Sequence, residues 1–328
     1  MKILAVDDDD FILELVPMYL AVAGYQDVSV AASGRAALDL IAAAIPPYDC
    51  LLIDINMPEM NGVELCTRVR QIPAYRRTPI IMLTAMTERH SVDTAFAAGA
   101  TDYVTKPFET MELGVRVRNA EELVMTRLKT ADAITSTTPA SMLTPGDKPT
   151  FSEIQIDGIK ELTDHPALKN YLKQLSRAGL LGSQIIAVKL ENIHSIHFRA
   201  TPDELTYAHT EVADSIANVL GTKGLLMANT GNGLFVCASN APNLLDPIDL
   251  EAEIQCLLDD KETTYDDGTP MDIEVSVGKP IRPASYSAAD PDVVLDRAIA
   301  RAESRSQEKK KSRVRLNIRL GSGQKRSW

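Results

Sequence analysis

The amino-acid sequence predicts two α/β domains, the first a doubly wound sheet of five parallel strands. Three observations carry that expectation. Short apolar runs alternate five times with helical segments from Lys2 to about Ala131, a pattern that folds into a parallel sheet with right-handed crossovers. The length of 328 residues suits two domains better than one. Between Asp132 and Thr150 the composition turns to Thr, Ser, Pro and Gly, which reads as a flexible linker. It divides a first domain, residues 1–127 with a last helix reaching about residue 131, from a second over residues 151–328.

Residues 2–6, Lys-Ile-Leu-Ala-Val, form the first strand and deliver Asp7 and Asp8. A helix over 11–24 follows, with Phe11, Ile12, Leu15 and Leu20 at mixed three- and four-residue spacing and Gly24 as its stop. Residues 28–31 are a short second strand, and Ser33 caps an Ala-rich helix ending near Pro46. The stretch 51–62, Leu-Leu-Ile-Asp-Ile-Asn-Met-Pro-Glu-Met-Asn-Gly, reads as a buried parallel strand running into a loop. It ends in one carboxylate, Asp54. Taken singly, such an Asp is a helix cap or turn residue; its company is what marks it. Helix 62–70 comes next, and strand 79–84 ends in the hydroxyl of Thr84. Helix 91–98 is stopped by Gly99, strand 101–108 ends in Lys106 before Pro107, and Thr110 opens the last helix. The carboxyl edge, where open α/β sheets place their chemistry, therefore collects Asp7, Asp8, Asp54, Thr84 and Lys106.

Strands ending in two acids, an acid, a hydroxyl and an amine, in that order, resemble the receiver domain of bacterial response regulators. The resemblance runs from Met1 to about Arg127. It implies that Asp54 accepts a phosphoryl group from a sensor histidine kinase or phosphotransfer protein. Three neighbouring carboxylates repel one another and need a cation, and oxygen-only ligands suit Mg²⁺. Asp8 and Asp54 are expected to ligate it directly, Asp7 partly through water, and the backbone carbonyl of Asn56 to reach in. The metal would neutralise the carboxylates and the incoming group, leaving Asp54 as the nucleophile. Lys106 would offer a fixed positive charge and Thr84 a hydroxyl to phosphoryl oxygens. The family also implies a cis Lys106–Pro107 bond. Met57-Pro58 and Asn61-Gly62 would form the turn framing the site. Asp9 and Asp10 exceed the two acids needed, so they are expected to be solvated or to cap the first helix.

A switch is implied as well. Phosphorylation adds about −1.5 to −2 charge; Thr84 would swing towards it and Tyr103 fill the space, the alternative being Tyr103 as plain core filler. In the last helix Leu113, Val117, Ala120, Val124 and Ala131 could make a short coiled seam supporting a homodimer. An ordinary amphipathic helix packed on its own sheet explains half of the same pattern.

The second domain reads as a helix over 165–179, a strand over 185–190, and a long helix to Leu220 opened by Thr201 and Pro202. Strands 225–230 and 234–238 flank Gly231-Asn232-Gly233, a hairpin signal. A helix over 246–258, a strand over 273–278 and a helix from Asp290 to about Glu303 complete it. This arrangement resembles the GGDEF domain of diguanylate cyclases, an α/β palm fold. The chemistry does not carry over. The signature hairpin Gly-Gly-Asp/Glu-Glu-Phe stands here as Gly231-Asn232-Gly233-Leu234-Phe235, so the metal-binding acid becomes Gly233 and the following glutamate Leu234. The family's other site positions fall on Lys189, Glu191, His197, Thr206 and Glu303, and its feedback site on Thr222 and Leu225. Two-metal phosphoryl transfer needs carboxylates to hold the cations. The resemblance thus implies a degenerate, catalytically inactive domain that signals by protein contact.

Composition bounds the rest. A net charge of −11 argues against nonspecific adhesion to nucleic acid or anionic membrane. Cys50, Cys66, Cys237 and Cys256 form no CxxC pair, and Cys50 reads as a buried reduced thiol. His194 and His197 stand three apart without the further ligands zinc requires. No apolar run approaches ~18 residues, and the chain opens directly on a strand, so a cytoplasmic protein without membrane span or signal peptide is expected. The basic tail from Lys309 to Arg326 reads as a solvated strand and frayed terminus. The rival readings are an active cyclase or a guanine-nucleotide or cyclic di-GMP sensor, and nucleic-acid binding through that tail.

Overall fold

The structure, a computed structural model, describes residues 1–85, 89–135, 154, 156, 158–178, 183–221, 224–240, 246–282 and 290–323. The chain divides into two compact units, Met1–Pro149 with Lys169–Ala178, and Thr150–Leu168 with Gly179–Trp328. The stretch 169–178, read from the sequence as part of the second domain, therefore groups with the first.

In the first unit β1 (Ile3–Val6), α1 (Asp10–Val22), β2 (Val28–Ala31), α2 (Gly34–Ala43), β3 (Cys50–Asp54), α3 (Gly62–Arg70), β4 (Ile80–Thr84), α4 (Arg89–Ala97), β5 (Asp102–Thr105) and α5 (Thr110–Thr135) alternate as expected. The sheet is wholly parallel, in the order β2-β1-β3-β4-β5. Strands β1, β3 and β4 are buried along their whole length, which is why they read as unbroken apolar runs rather than alternating ones. Asp9 caps α1 by accepting from the Phe11 N–H, and the Ser33 hydroxyl caps α2 by accepting from the Ala36 N–H. Gly24 stops α1 with φ of +99°, a conformation that costs glycine nothing.

Helices α1 and α5 pack together on the sheet through Val16, Leu20, Leu113, Val117 and Ala120. The first half of the expected coiled seam is thus occupied by the domain's own core. Helix α5 also runs to Thr135, so the first residues of the expected linker are helical; residues 136–150 lie outside those described. Cys50 is free and buried, and its burial pushes the thiol up to about 12.

After α6 (His165–Ala178), preceded by the short β6 (Leu162–Thr163), the second unit contains β7 (Gln184–Leu190), α7 (Ile193–Arg199), α8 (Pro202–Leu220), β8 (Leu225–Asn229), β9 (Leu234–Ser239), α9 (Pro247–Asp260), β10 (Val275–Val277) and α10 (Pro291–Gly323). Its sheet runs β10-β7-β9-β8-β6, antiparallel except for the β6–β8 pair. Thr201 and Glu204 form a reciprocal capping box on α8. One sheet face, with Ile186, Val188, Phe235 and Cys237, buries Ala208, Val212, Leu250 and Ile254 of α8 and α9.

Helix α10 packs on β7, β9 and β10, and it corrects two expectations. It continues past Glu303 to Gly323, so the tail from Lys309 through residue 315 is helix, not a solvated strand; Lys325 and Arg326 lie outside the described residues. Its basic residues are also partly spent inside the fold. The Arg305 guanidinium donates to Glu251 at 2.9 and 3.1 Å, Lys309 lies 3.3 Å from Glu251, and Lys310 lies 3.1 Å from Glu191. The Ser276 hydroxyl donates to Glu191 at 2.8 Å.

Burial raises the carboxyl pKa of Glu251, but Arg305, the Val277 N–H and Lys309 outweigh it and hold it below the usual value of 4.5. A carboxylate with a lowered folded pKa stabilises the fold above the unfolded pKa and loses that contribution as pH falls. Glu251→Gln is therefore expected to destabilise α10 by about 2 kcal/mol at pH 7. The deficit should narrow as pH drops below about 4.5. Amide exchange along residues 298–310 reads this, and a deficit independent of pH would sink the assignment.

Candidate functional site

Four of the five strands of the first sheet, β1, β3, β4 and β5, leave a polar group at their carboxyl ends because the apolar run stops there. Asp7 follows β1, Asp54 and Thr84 close β3 and β4, and Lys106 follows β5. Asp7 and Asp54 are only 1% and 4% exposed, whereas Asp8 is exposed. Oxygens of Asp7, Asp8 and Asp54 all lie within 4.8 Å of one another. The Lys106 ammonium bridges two of them, donating to Asp7 at 2.6 Å and to Asp54 at 2.5 Å.

These contacts set the charges. Burial pushes the Asp7 carboxyl up, partly offset by the bond from Lys106. For Lys106 burial pulls down, but the bonds to Asp54 and Asp7 win, so its pKa lies above the ordinary value. It is a permanent cation at physiological pH. The other Asp54 oxygen accepts from the Asn56 N–H at 2.6 Å, and Asp7 accepts from the Asp9 N–H at 3.1 Å. Three oxygen donors around one point fit a hard, oxygen-seeking cation such as Mg²⁺.

The remaining expected residues take their places. Thr84 is buried, and its carbonyl accepts from the Lys106 N–H at 2.7 Å, tying the ends of β4 and β5 together. The Lys106–Pro107 bond is cis. Tyr103 is buried, its ring edge-on to Phe96 at 6.4 Å. The turn after β3 carries Glu59 at φ +62°, and Asn61 caps α3 by accepting from the Glu64 N–H at 2.8 Å.

Gly62 has a role that reading it as a turn residue misses. A Cβ there would stand 2.1 Å from the Asp54 carbonyl oxygen and 2.9 Å from its carbon. The start of α3 is pressed directly onto the backbone of Asp54, and only glycine permits it. The Asn-Gly pair at the mouth of a helix was the available signal.

In the second unit Gly231, Asn232 and Gly233 adopt φ of +82°, +52° and +70°. The hairpin is thus a loop of three left-handed residues. Leu234 and Phe235 are buried, and Phe235 packs against the His209 ring at 6.1 Å. Glu191 is buried against Ser276 and Lys310, and Lys189 pairs in register with Leu234 and Ser276. Among the described residues, Asp7, Asp8 and Asp54 alone form a His/Cys/Asp/Glu group able to hold a metal.

Comparison with known proteins agrees with the first site. Residues 3–118 match the response regulator receiver domain family. The transcriptional regulatory protein SrrA of Staphylococcus aureus is 39% identical over 117 residues, 36% of this chain and 46% of that protein. The chain thus spans about half the length of the curated relatives it matches. Among solved structures, the chemotaxis protein CheY4 of Vibrio cholerae is 39% identical over 36% of this chain and 97% of that one, with a TM-score of 0.35. A putative response regulator from Chloroflexus aurantiacus is 44% identical over 36% and 95%, with a TM-score of 0.34. The family match over residues 3–118 marks an N-terminal receiver domain, CheY-like in kind, followed in the chain by a second α/β unit.

Proposed function

We propose that the protein is a two-component response regulator, phosphorylated on Asp54 by a histidine kinase or phosphotransfer protein, whose second unit signals by protein contact. The observation that supports it is the buried Asp54 carboxylate, held between Lys106 and the Asp7–Asp8 pair. Mg²⁺ would be held by Asp8, Asp54 and the Asn56 carbonyl, with Asp7 beside them, and when bound supplies charge neutralisation. The Asn56 N–H orients Asp54, leaving its other oxygen to attack. Lys106 is already charged and passes from that oxygen to the arriving phosphoryl group. Labelling by acetyl phosphate with Mg²⁺, present in the wild type and absent in Asp54→Asn, tests this. No described helix is long and apolar enough to cross a membrane, and we place the protein in the cytoplasm.

For the second unit we propose a degenerate GGDEF-like domain without cyclase activity. The support lies in the residues: Gly233 and Leu234 stand where acids would hold metal, and Glu191 is neutralised from within by Lys310. The strand and helix order is compatible with a palm. The expected result is no cyclic di-GMP from GTP with Mg²⁺ or Mn²⁺, with or without phosphate on Asp54. Steady product that disappears in Asp54→Asn would overturn this reading.

A further inference from the structure

The second sheet has β6 at one edge and β10 at the other. Strand β6 is only two residues long, and so short an edge recruits little. Strand β10, with Ile273 just ahead of it, carries the β-branched alternation Ile273, Val275, Val277 of a segment that pairs readily. Its inner side belongs to β7: the Glu191 N–H donates to the Glu274 carbonyl at 2.7 Å, and the Gly278 N–H to the Ala187 carbonyl at 2.9 Å. Residues 273, 275 and 277 therefore turn their backbone groups outward. Each such group from the Ile273 carbonyl to the Val277 N–H is held by a side chain. The Gln255 amide donates to the Ile273 carbonyl at 3.0 Å and accepts from the Val275 N–H at 3.1 Å. Lys309 donates to the Val275 carbonyl at 2.7 Å, and Glu251 accepts from the Val277 N–H at 2.9 Å. Glu251 and Gln255 stand one turn apart on α9, and Lys309 comes from α10. Together they take the place that the backbone of a sixth strand would take beside this five-stranded sheet.

We propose that the outer edge of β10 is a strand-pairing surface for a second copy of this chain, held shut by Gln255, Glu251 and Lys309. The occupant follows from the pattern of the edge. In an antiparallel pair, two residues directly opposite each other can exchange both N–H···O bonds, and Val275 has both of its groups on the outer side. Val275 set against its counterpart brings the Ile273 carbonyl of each copy to the Val277 N–H of the other. Those are the groups that the side chains hold, so the edge is complementary to itself about a two-fold axis. The same register sets Ile273 across from Val277, a favourable β-branched pair, and Glu274 across from Ser276 rather than from another acid. With the three side chains in place every donor and acceptor on this stretch is taken, and a second strand gains nothing by approaching.

Sedimentation of the full chain, with amide exchange across residues 273–277, tests this in the double variant Gln255→Ala, Lys309→Ala. In dilute protein those amides are expected to exchange faster than in the wild type. Self-association should tighten by about tenfold over that of the wild type, the worth of one or two hydrogen bonds. As concentration rises, exchange across 273–277 should slow again, because the partner strand takes over the N–H groups. Gln255→Glu keeps an acceptor for the Val275 N–H but sets a carboxylate against the Ile273 carbonyl, and it should fall between the wild type and the double variant in both readouts. A double variant with faster exchange and the wild type's association state overturns the proposal. So does wild-type exchange in it, which would show that the side chains do not guard the edge. Association that leaves 273–277 unprotected also overturns it, since another surface then makes the contact. Where circular dichroism shows that the double variant does not fold, Gln255→Glu decides alone: tighter association that protects 273–277 supports the proposal, and wild-type association overturns it.

Discussion

Full-length protein given labelled acetyl phosphate and Mg²⁺ should take up one acid-labile phosphoryl group, and Asp54→Asn should take up none. The amide is the same size as the carboxylate and can still accept from the Asn56 N–H, so the substitution removes the nucleophile with little disturbance of the turn. A carboxylate is required because the amide oxygen is a far weaker nucleophile and carries no charge for the metal to balance. An acyl phosphate is also labile where a phosphoserine is not, so the chemistry of the label identifies its site. Asp8→Ala provides the companion measurement: Asp54 remains, but the exposed member of the acid triad is gone, and both Mg²⁺ affinity and labelling should fall together. Undiminished label on Asp54→Asn would end the assignment. Normal metal affinity in Asp8→Ala would move the site to other acids, Asp9 and Asp10 being nearest.

Gly62→Ala is expected to be the most damaging single-carbon addition in the receiver. The new methyl group would stand 2.1 Å from the Asp54 carbonyl oxygen and 3.0 Å from the Ile53 side chain. Neither a strand backbone nor a buried β-branched residue can step aside. Overpacking of this kind costs about 3 kcal/mol at its upper end. A two-unit chain need not unfold in one step, so amide exchange of residues 50–55 is the proper readout, with acetyl phosphate labelling beside it. Wild-type exchange and labelling in this variant would show that α3 can shift off Asp54 freely.

Much of this was legible because the receiver writes its fold in short-range signals. Apolar runs that stop at Asp54, Thr84 and Lys106 mark both the strands and their working ends, and Gly62 and Asn61 mark where α3 begins. The distance from Lys106 to Asp7 was not legible, since it joins β5 to β1 across the sheet and no local pattern encodes it. In the second unit the miss at α10 has a different cause. Residues 304–311, Ser-Arg-Ser-Gln-Glu-Lys-Lys-Lys, lack an apolar stripe, because this part of the helix is held by Arg305, Lys309 and Lys310 on buried carboxylates. Hydrophobic periodicity is silent about a helix fixed by charge. The Gly-Asn-Gly signal marks where β8 turns into β9, but not that Gly231 joins Asn232 and Gly233 in one left-handed run. The affiliation of residues 169–178 with the first unit depends on Tyr171 meeting Asp93 and Phe96, far away in the chain.

The packing of α10 on β7, β9 and β10 also constrains the order in which the protein is made. A ribosome that adds about 5–20 residues per second takes on the order of 5–20 s to cover the roughly 100 residues between Leu190 and Pro291. β7 clears the exit tunnel that long before its covering helix does, and Glu191, then Glu251, await the cations that Lys310 and Arg305 will bring. The receiver is complete by then, because its last covering helix, α5, ends at Thr135. Nascent chains paused before Pro291 should therefore hold a finished receiver and an open second sheet, and it is this half of the polypeptide that calls for chaperone cover during translation.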